Sequence, residues 1–356
     1  MFKKMNIYFV KTPNTYMNAL EYKFKYSIDD ENYLIVIKLK KYGIKVDQLS
    51  EIIDKKLWTK VIIVNISDDR FRYWKGIKSI QNVPPIIKNL LFIKSLHRFK
   101  KNLMLNFDQL KITKLITSND TLRDVGESTL KPKEVILIDR ASSASRGDLI
   151  SNQRRLKNQK KFYQFLSIKI SPSIIVKPIL FTSYPDFYTG YDGIVLANSY
   201  DYFKLYESNL NNEQKIVSIL GAPRIEETIN FVRFIEWVDF NQKSANSSLF
   251  YFPHPREEMT TEKKNLIQSK GIKFMEDALP IEFEYLYGKV KGCSYFISTH
   301  YTSAFTFLQE VSSNPKFIII SHEEEFNSEA VKTIGEIQYS KYKNDLRFKF
   351  IQIPNI

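Results

Sequence analysis

The feature that most constrains this chain is a set of short apolar and aromatic runs that end abruptly at polar residues. Val61-Ile62-Ile63-Val64, Val135-Ile136-Leu137-Ile138, Leu249-Phe250-Tyr251-Phe252 and Ile318-Ile319-Ile320 are of this kind. A strand apolar on both faces must be covered on both faces, which is the condition of a parallel sheet between helices. The segments separating the runs place apolar residues at helical spacing, and alternation of the two patterns predicts an α/β chain.

In the first half, strands are predicted at Asn6 to Val10, Tyr33 to Leu39, Lys60 to Asn65, Leu110 to Thr117 and Glu134 to Asp139. Helices are predicted at Thr15 to Lys25, Val46 to Ile53 and Pro84 to Lys101. Prolines at 172, 178 and 185 then break the composition and mark a connection between domains. A second series follows, with strands at Lys215 to Leu220, Leu249 to Phe252, Ile272 to Met275, Tyr295 to Ile297 and Lys316 to Ile320. Its helices are Glu226 to Phe240, Thr261 to Lys270, Pro280 to Tyr287, Ser303 to Val311 and Ser328 to Tyr339. A length of 356 residues also favours two domains. The expectation is therefore two doubly wound, Rossmann-like domains facing a cleft, residues 1–180 and 181–356.

Several functional classes lack their signatures. There is no G-x-G-x-x-G after the first strand, no phosphate-binding G-x-x-x-x-G-K-[ST] loop and no G-x-S-x-G elbow. The one cysteine, Cys293, cannot form an internal disulfide and reads as a small core residue. The four histidines show no paired-ligand spacing, so no protein metal site is expected. The N-terminal apolar stretch is too short for a secretion signal, and no run reaches the length of a membrane span, so a cytoplasmic protein is expected. The net charge of +14 suits nucleic acid, an anionic membrane face or an anionic substrate, and equally an AT-rich genome that favours lysine. The cluster at Arg154, Arg155, Lys157, Lys160 and Lys161 reads first as a solvated helix face and second as a contact for an anionic acceptor or bilayer.

Two strand ends carry the chemistry. The run Leu249 to Phe252 delivers His254 between Pro253 and Pro255, which fix the backbone on either side. The run Phe296-Ile297 delivers Thr302 and Ser303 to the start of a helix. These hydroxyls are plain N-caps or, with the free backbone N–H groups, a phosphate cradle. An imidazole beside such a helix start suits a phosphate that departs with negative charge. Glu282, just past Pro280, either balances a helix N-terminus or accepts from ribose hydroxyls. Asp139 ends an apolar strand and is a candidate general base, or a structural partner of Arg140.

Together these residues resemble the bacterial lipooligosaccharide sialyltransferases, glycosyltransferase family 52, and more distantly the bacterial polysialyltransferases. Thr12-Pro13 with Asn18-Ala19-Leu20-Glu21 is similar to that family's opening strand and helix. Gly221-Ala222-Pro223 is similar to its glycine-x-proline turn, His254-Pro255 to its HP motif, Pro280-Ile281-Glu282 to the helix between, and Thr302-Ser303 to its hydroxyl pair. The resemblance implies the GT-B fold, with acceptor in the N-terminal domain and nucleotide in the C-terminal one. It also implies inverting, metal-independent transfer of sialic acid from CMP-sialic acid to a surface polysaccharide or lipooligosaccharide. His254 would meet the departing phosphate, Thr302 and Ser303 would hold it, and Glu282 would hold the ribose. No cofactor is implied beyond this donor co-substrate. One departure stands out: the acidic-acidic-glycine motif of related sialyltransferases reads Asp139-Arg140-Ala141 here. The base is then Asp139, or Glu226 just after the Gly221 turn, or the donor sugar is another one. The basic helices suggest peripheral contact with the inner membrane face. Pairing as a homodimer stays open. The competing reading is a basic nucleic-acid-binding protein without enzymatic activity, which lacks aromatic residues interleaved with the basic ones.

Overall fold

A computed structural model of the chain describes residues 4–40, 48–67, 85–108, 110–118, 121–139, 177–206, 215–222, 229–244, 246–254, 257–276, 278–288, 290–299, 303–322, 339–340 and 342–353. The chain forms two compact units, Met1–Ser199 and Tyr200–Ile356.

The first unit runs β1 (Met5–Val10), α1 (Pro13–Tyr26), β2 (Glu31–Lys40), α2 (Gln48–Ile52), β3 (Lys60–Ser67), α3 (Pro85–Phe107), β4 (Ile112–Thr117), α4 (Thr121–Leu130), β5 (Glu134–Ile138), β6 (Ile179–Thr182) and β7 (Val195–Ala197). Its seven strands lie in the order β3-β2-β1-β4-β5-β6-β7, and every pairing is parallel. Helix α1 starts where it does because Thr12 and Thr15 form a capping box and Pro13 occupies the first turn. Helix α4 sits close on β1 and β4 through Gly126. A Cβ there would come within 2.7 Å of Phe9 Cε2 and 2.9 Å of Leu115 Cδ2. The core beneath includes Ile7, Phe9, Ile35, Leu115, Val125, Val135 and Leu137.

The second unit runs α5 (Asp201–Lys204), β8 (Lys215–Leu220), α6 (Phe231–Gln242), β9 (Ser247–Phe252), α7 (Thr261–Ser269), β10 (Lys273–Phe274), α8 (Ile281–Tyr287), β11 (Tyr295–Ser298), α9 (Ser303–Val311), β12 (Lys316–His322) and β13 (Phe348–Ile353). Six strands lie in the order β10-β9-β8-β11-β12-β13, again all parallel. One face of this sheet packs Val217, Ile219, Phe234, Ile235, Val238, Tyr251 and Ile267. Near α9, stacked rings of Phe296, Phe317 and Phe348 run across β11, β12 and β13 and end on Tyr342, which precedes β13, with centroids 5.9, 4.6 and 4.6 Å apart. Such offset pairs add to burial alone.

Counted within each unit, both sheets follow the 3-2-1-4-5-6 order of doubly wound nucleotide-binding folds, with a seventh strand in the first. The expected α/β class of two Rossmann-like domains is thus the observed one. The first sheet continues past the compositional break: Pro178 precedes β6, and Pro185 opens a short 3-10 turn before β7. Helix α6 begins later than the periodicity suggests, because Asn230 caps it by accepting from Arg233 N–H. The helix expected at 328–339 lies almost wholly outside the described residues, as does the basic cluster at 154–161. Cys293 is buried, as its position suggests. It bonds Ser218 Oγ at 3.2 Å and the Tyr295 carbonyl at 3.0 Å.

Candidate functional site

In a doubly wound sheet, ligands bind outside the carboxyl ends of the strands where the strand order reverses. In the second unit that point lies between β8 and β11, paired with Leu220 opposite Ser298. The buried Ser298 hydroxyl donates to the Leu220 carbonyl at 3.3 Å and ties the two strand ends together. Three strand ends open here: Gly221 after β8, His254 after β9, and Thr299 after β11 with α9 beginning at Ser303.

His254 is half-buried and sits in a tight turn. Its carbonyl accepts from Glu257 N–H at 2.8 Å, and its N–H donates to Glu257 Oε2 at 3.1 Å. The other carboxylate oxygen of Glu257 accepts from the Tyr251 hydroxyl at 2.5 Å. Tyr251 is fully buried in β9. Burial and the adjacent carboxylate push its phenol well up, so it stays a donor. Burial also raises the Glu257 carboxyl to about 7, against the pull of the Tyr251 hydroxyl and His254 N–H. Gly221 N–H donates to the Phe252 carbonyl at 2.8 Å. The absence of a side chain at Gly221 is required, since a Cβ would meet the Glu257 carboxylate, with Cδ at 2.9 Å, and the His254 nitrogen at 3.0 Å. The loops after β8 and β9 are thus packed together through Gly221, His254 and Glu257.

Glu282 lies in the first turn of α8 behind Pro280 and is buried. Burial raises its carboxyl, partly offset by its own backbone N–H. Ser303 is the first residue of α9, in the position expected for it. Pro255, Glu226 and Thr302 lie outside the described residues, as do Pro223 and His300.

Asp139 follows β5 in the first unit and is buried. Its Oδ2 accepts from Thr182 Oγ1 at 3.1 Å, Ser183 N at 2.8 Å and Ser183 Oγ at 3.0 Å. Its carbonyl accepts from Asn18 Nδ2 at 3.2 Å, and Asn18 Oδ1 accepts from Asn198 Nδ2 at 2.8 Å. The carboxylate is therefore fixed to the β6 end by three donors, inside a network that ties α1, β5, β6 and the residue after β7. Its neighbour Arg140 lies outside the described residues.

Sequence reasoning passed over Glu257 and Ser298. Glu257 stands two places beyond the proline that frames His254, and four-residue turns often tie their ends by hydrogen bonds. That spacing was the available signal. Ser298 is the last residue of an apolar strand, where a hydroxyl faces the strand end. Among the described residues, no three His, Cys, Asp or Glu side chains gather as a metal site would need. No described helix is long and apolar enough to cross a membrane.

No protein-family model matches this sequence, and no curated protein matches it. Among solved structures, the fold is similar to that of UGT89C1 from Arabidopsis thaliana. Its complex with UDP-L-rhamnose aligns with a TM-score of 0.53 and 9% identity, covering 99% of this chain and 86% of the other. Its complex with UDP aligns at 0.52 and 8% identity, with the same coverage. This likeness, with the two parallel sheets, gives the chain the GT-B fold of two Rossmann-like domains.

Proposed function

We propose that the chain is a glycosyltransferase of the GT-B type that holds a nucleotide-linked sugar on its C-terminal unit, and that the donor is CMP-sialic acid. The carrying observation is the placement of His254, at the end of β9, beside Gly221, at the end of the neighbouring β8 that borders the β8–β11 reversal, a position that suits an anionic group of a nucleotide. In an inverting transfer the acceptor oxygen bonds to the anomeric carbon as the bond to the phosphate oxygen breaks. His254 would donate a hydrogen bond or proton to that oxygen, and the start of α9 with Thr302 and Ser303 would cradle it. Pro255 would fix the His254 loop, Gly221 would leave room for the backbone, and Glu282 would accept from the ribose hydroxyls. A departing monophosphate carries less charge than a diphosphate, so a positioned imidazole can offset it without a metal ion. The acceptor proton passes to a carboxylate, Asp139 or Glu226. The acceptor class is a terminal sugar of a surface polysaccharide or lipooligosaccharide, bound by the N-terminal unit and reached from the inner membrane face.

A second reading is a different nucleotide sugar. The altered Asp139-Arg140-Ala141 motif supports it, and so do the UDP and UDP-L-rhamnose ligands of the similar plant structures. The test is release of free nucleotide from a panel of donors with oligosaccharide acceptors. Release of CMP from CMP-sialic acid, lost in His254→Ala, is expected. Turnover of uridine-linked sugars alone would favour the second reading. No turnover, with salt-sensitive binding to any DNA, would favour a nucleic-acid-binding protein.

A further inference from the structure

We infer that Glu257 is a positioning residue for His254, acting as a clamp between the rigid β9 core and the two loops that would meet the nucleotide. The inference rests on the reading above for its functional consequence, and on geometry alone for the clamp.

Each oxygen of the carboxylate has a separate task. Oε1 is anchored by Tyr251, whose ring is fully buried between Phe231 and Phe274, at centroid distances of 6.0 and 6.1 Å. Oε2 receives the His254 N–H at 3.1 Å, and Glu257 N–H returns a bond to the His254 carbonyl at 2.8 Å. His254 is thus fixed through both its backbone groups, to a side chain that is itself pinned to the core. The carboxylate also fills the space left by Gly221, so the β8 loop rests against it. A loop imidazole that must meet a phosphate within hydrogen-bond reach gains from such support, because small misplacements cost rate steeply. Neither Tyr251 nor Glu257 needs to touch the donor for this role.

The test uses the full-length protein. Amide hydrogen exchange at His254 is followed by NMR, and affinity for CMP by calorimetry, for Glu257→Ala, Glu257→Gln and Tyr251→Phe. Glu257→Ala is expected to speed exchange at His254 about tenfold, as loss of one stabilising acceptor should. The amides of Leu249 and Tyr251 inside β9 should keep their wild-type rates. CMP affinity should fall about tenfold in the same variant. In a His254→Ala background, Glu257→Ala should then cost clearly less than in the wild type, because the share of the loss that runs through the imidazole is already gone and only the support of the β8 loop remains. Glu257→Gln keeps an acceptor for His254 N–H and should restore most of the protection. Tyr251→Phe keeps the ring in the core and should loosen His254 several-fold; it decides the matter if Glu257→Ala does not fold. Unchanged exchange at His254, uniform loosening of the whole second unit, or an equal loss of CMP affinity with and without His254 would each overturn the inference. If the wild-type protein binds no CMP, the donor reading falls, while the exchange rates still decide whether Glu257 is a clamp.

Discussion

The two units repeat one strand order but furnish their strand ends in opposite ways. In the first, Asp139 is fixed by three donors on one oxygen, and the loop after β1 closes on itself through the Thr12–Thr15 capping box. In the second, the loop after β8 needs a glycine, and Glu257 has a carboxyl raised to about 7 by burial that its two donors do not fully offset. The first strand end is finished by the protein's own side chains. The second is packed tightly around a carboxyl that burial holds above its ordinary range. The difference teaches that one topology can carry two differently furnished strand ends, one tied by hydrogen-bond donors and one packed around a glycine and a buried carboxyl.

Four substitutions or conditions test that contrast. The largest effect is expected for His254→Ala, which should lower transfer by about 100-fold to 10,000-fold with little change in melting temperature. A large loss of thermal stability would make His254 a structural residue. Next, Asp139→Ala should destabilise the first unit by about 2 kcal/mol, because the buried Thr182 hydroxyl and the half-buried Ser183 donors lose their acceptor. Denaturant unfolding measures this, and a loss under about 0.5 kcal/mol would mean that the network is dispensable. Gly221→Ala should cost about 1–3 kcal/mol through overpacking against Glu257 and His254, and should weaken nucleotide binding as well. A neutral Gly221→Ala would show that the two loops are not in close contact.

The smallest effect concerns pH. The Glu257 carboxyl lies at about 7 in the folded unit against an ordinary 4.5, so the folded state binds this proton more tightly. Its contribution is full below pH 4.5 and is lost as pH rises through 7. The groups bonded to it are the Tyr251 hydroxyl and the His254 backbone N–H, and neither ionises in that window. Denaturant unfolding between these pH values should show the wild type declining by about 1–2 kcal/mol more than Glu257→Gln, after allowance for partial exposure. Identical pH profiles for the two proteins would remove Glu257 from the account.

Much of the fold was legible because parallel strands buried on both faces are written as unbroken apolar runs. β1, β5, β8, β9, β11 and β12 are read this way, and the edge strand β3 by the same kind of apolar run although Ile63 is exposed. The elements that escaped have physical reasons to be quiet. β6 and β7 have four and three residues, too few to show a period. Helix α4 buries Arg123, Asp124 and Glu127 beside Leu122 and Val125. An ion pair of 2.6 Å between Arg123 and Glu127 makes charged residues behave as core, and this breaks the apolar pattern. β13 at Phe348–Ile353 has its apolar residues interrupted by Lys349 and Gln352, so it shows no continuous run. At the site, His254 and Gly221 were marked by strand endings and prolines. The tie between them runs through Glu257, which reads in sequence as one more surface acid. Its contacts with a tyrosine six residues back in a buried strand, with His254 N–H and with Gly221 show otherwise.

The most direct measurement is calorimetric binding of CMP and of UDP to the wild-type protein and to His254→Ala. The account predicts that CMP binds in preference to UDP and that the substitution weakens it. Preference for UDP would keep a nucleotide at these strand ends but contradict the sialyl donor. Binding of neither nucleotide, or CMP binding indifferent to His254, would contradict the claim that the second unit's strand ends form the donor site.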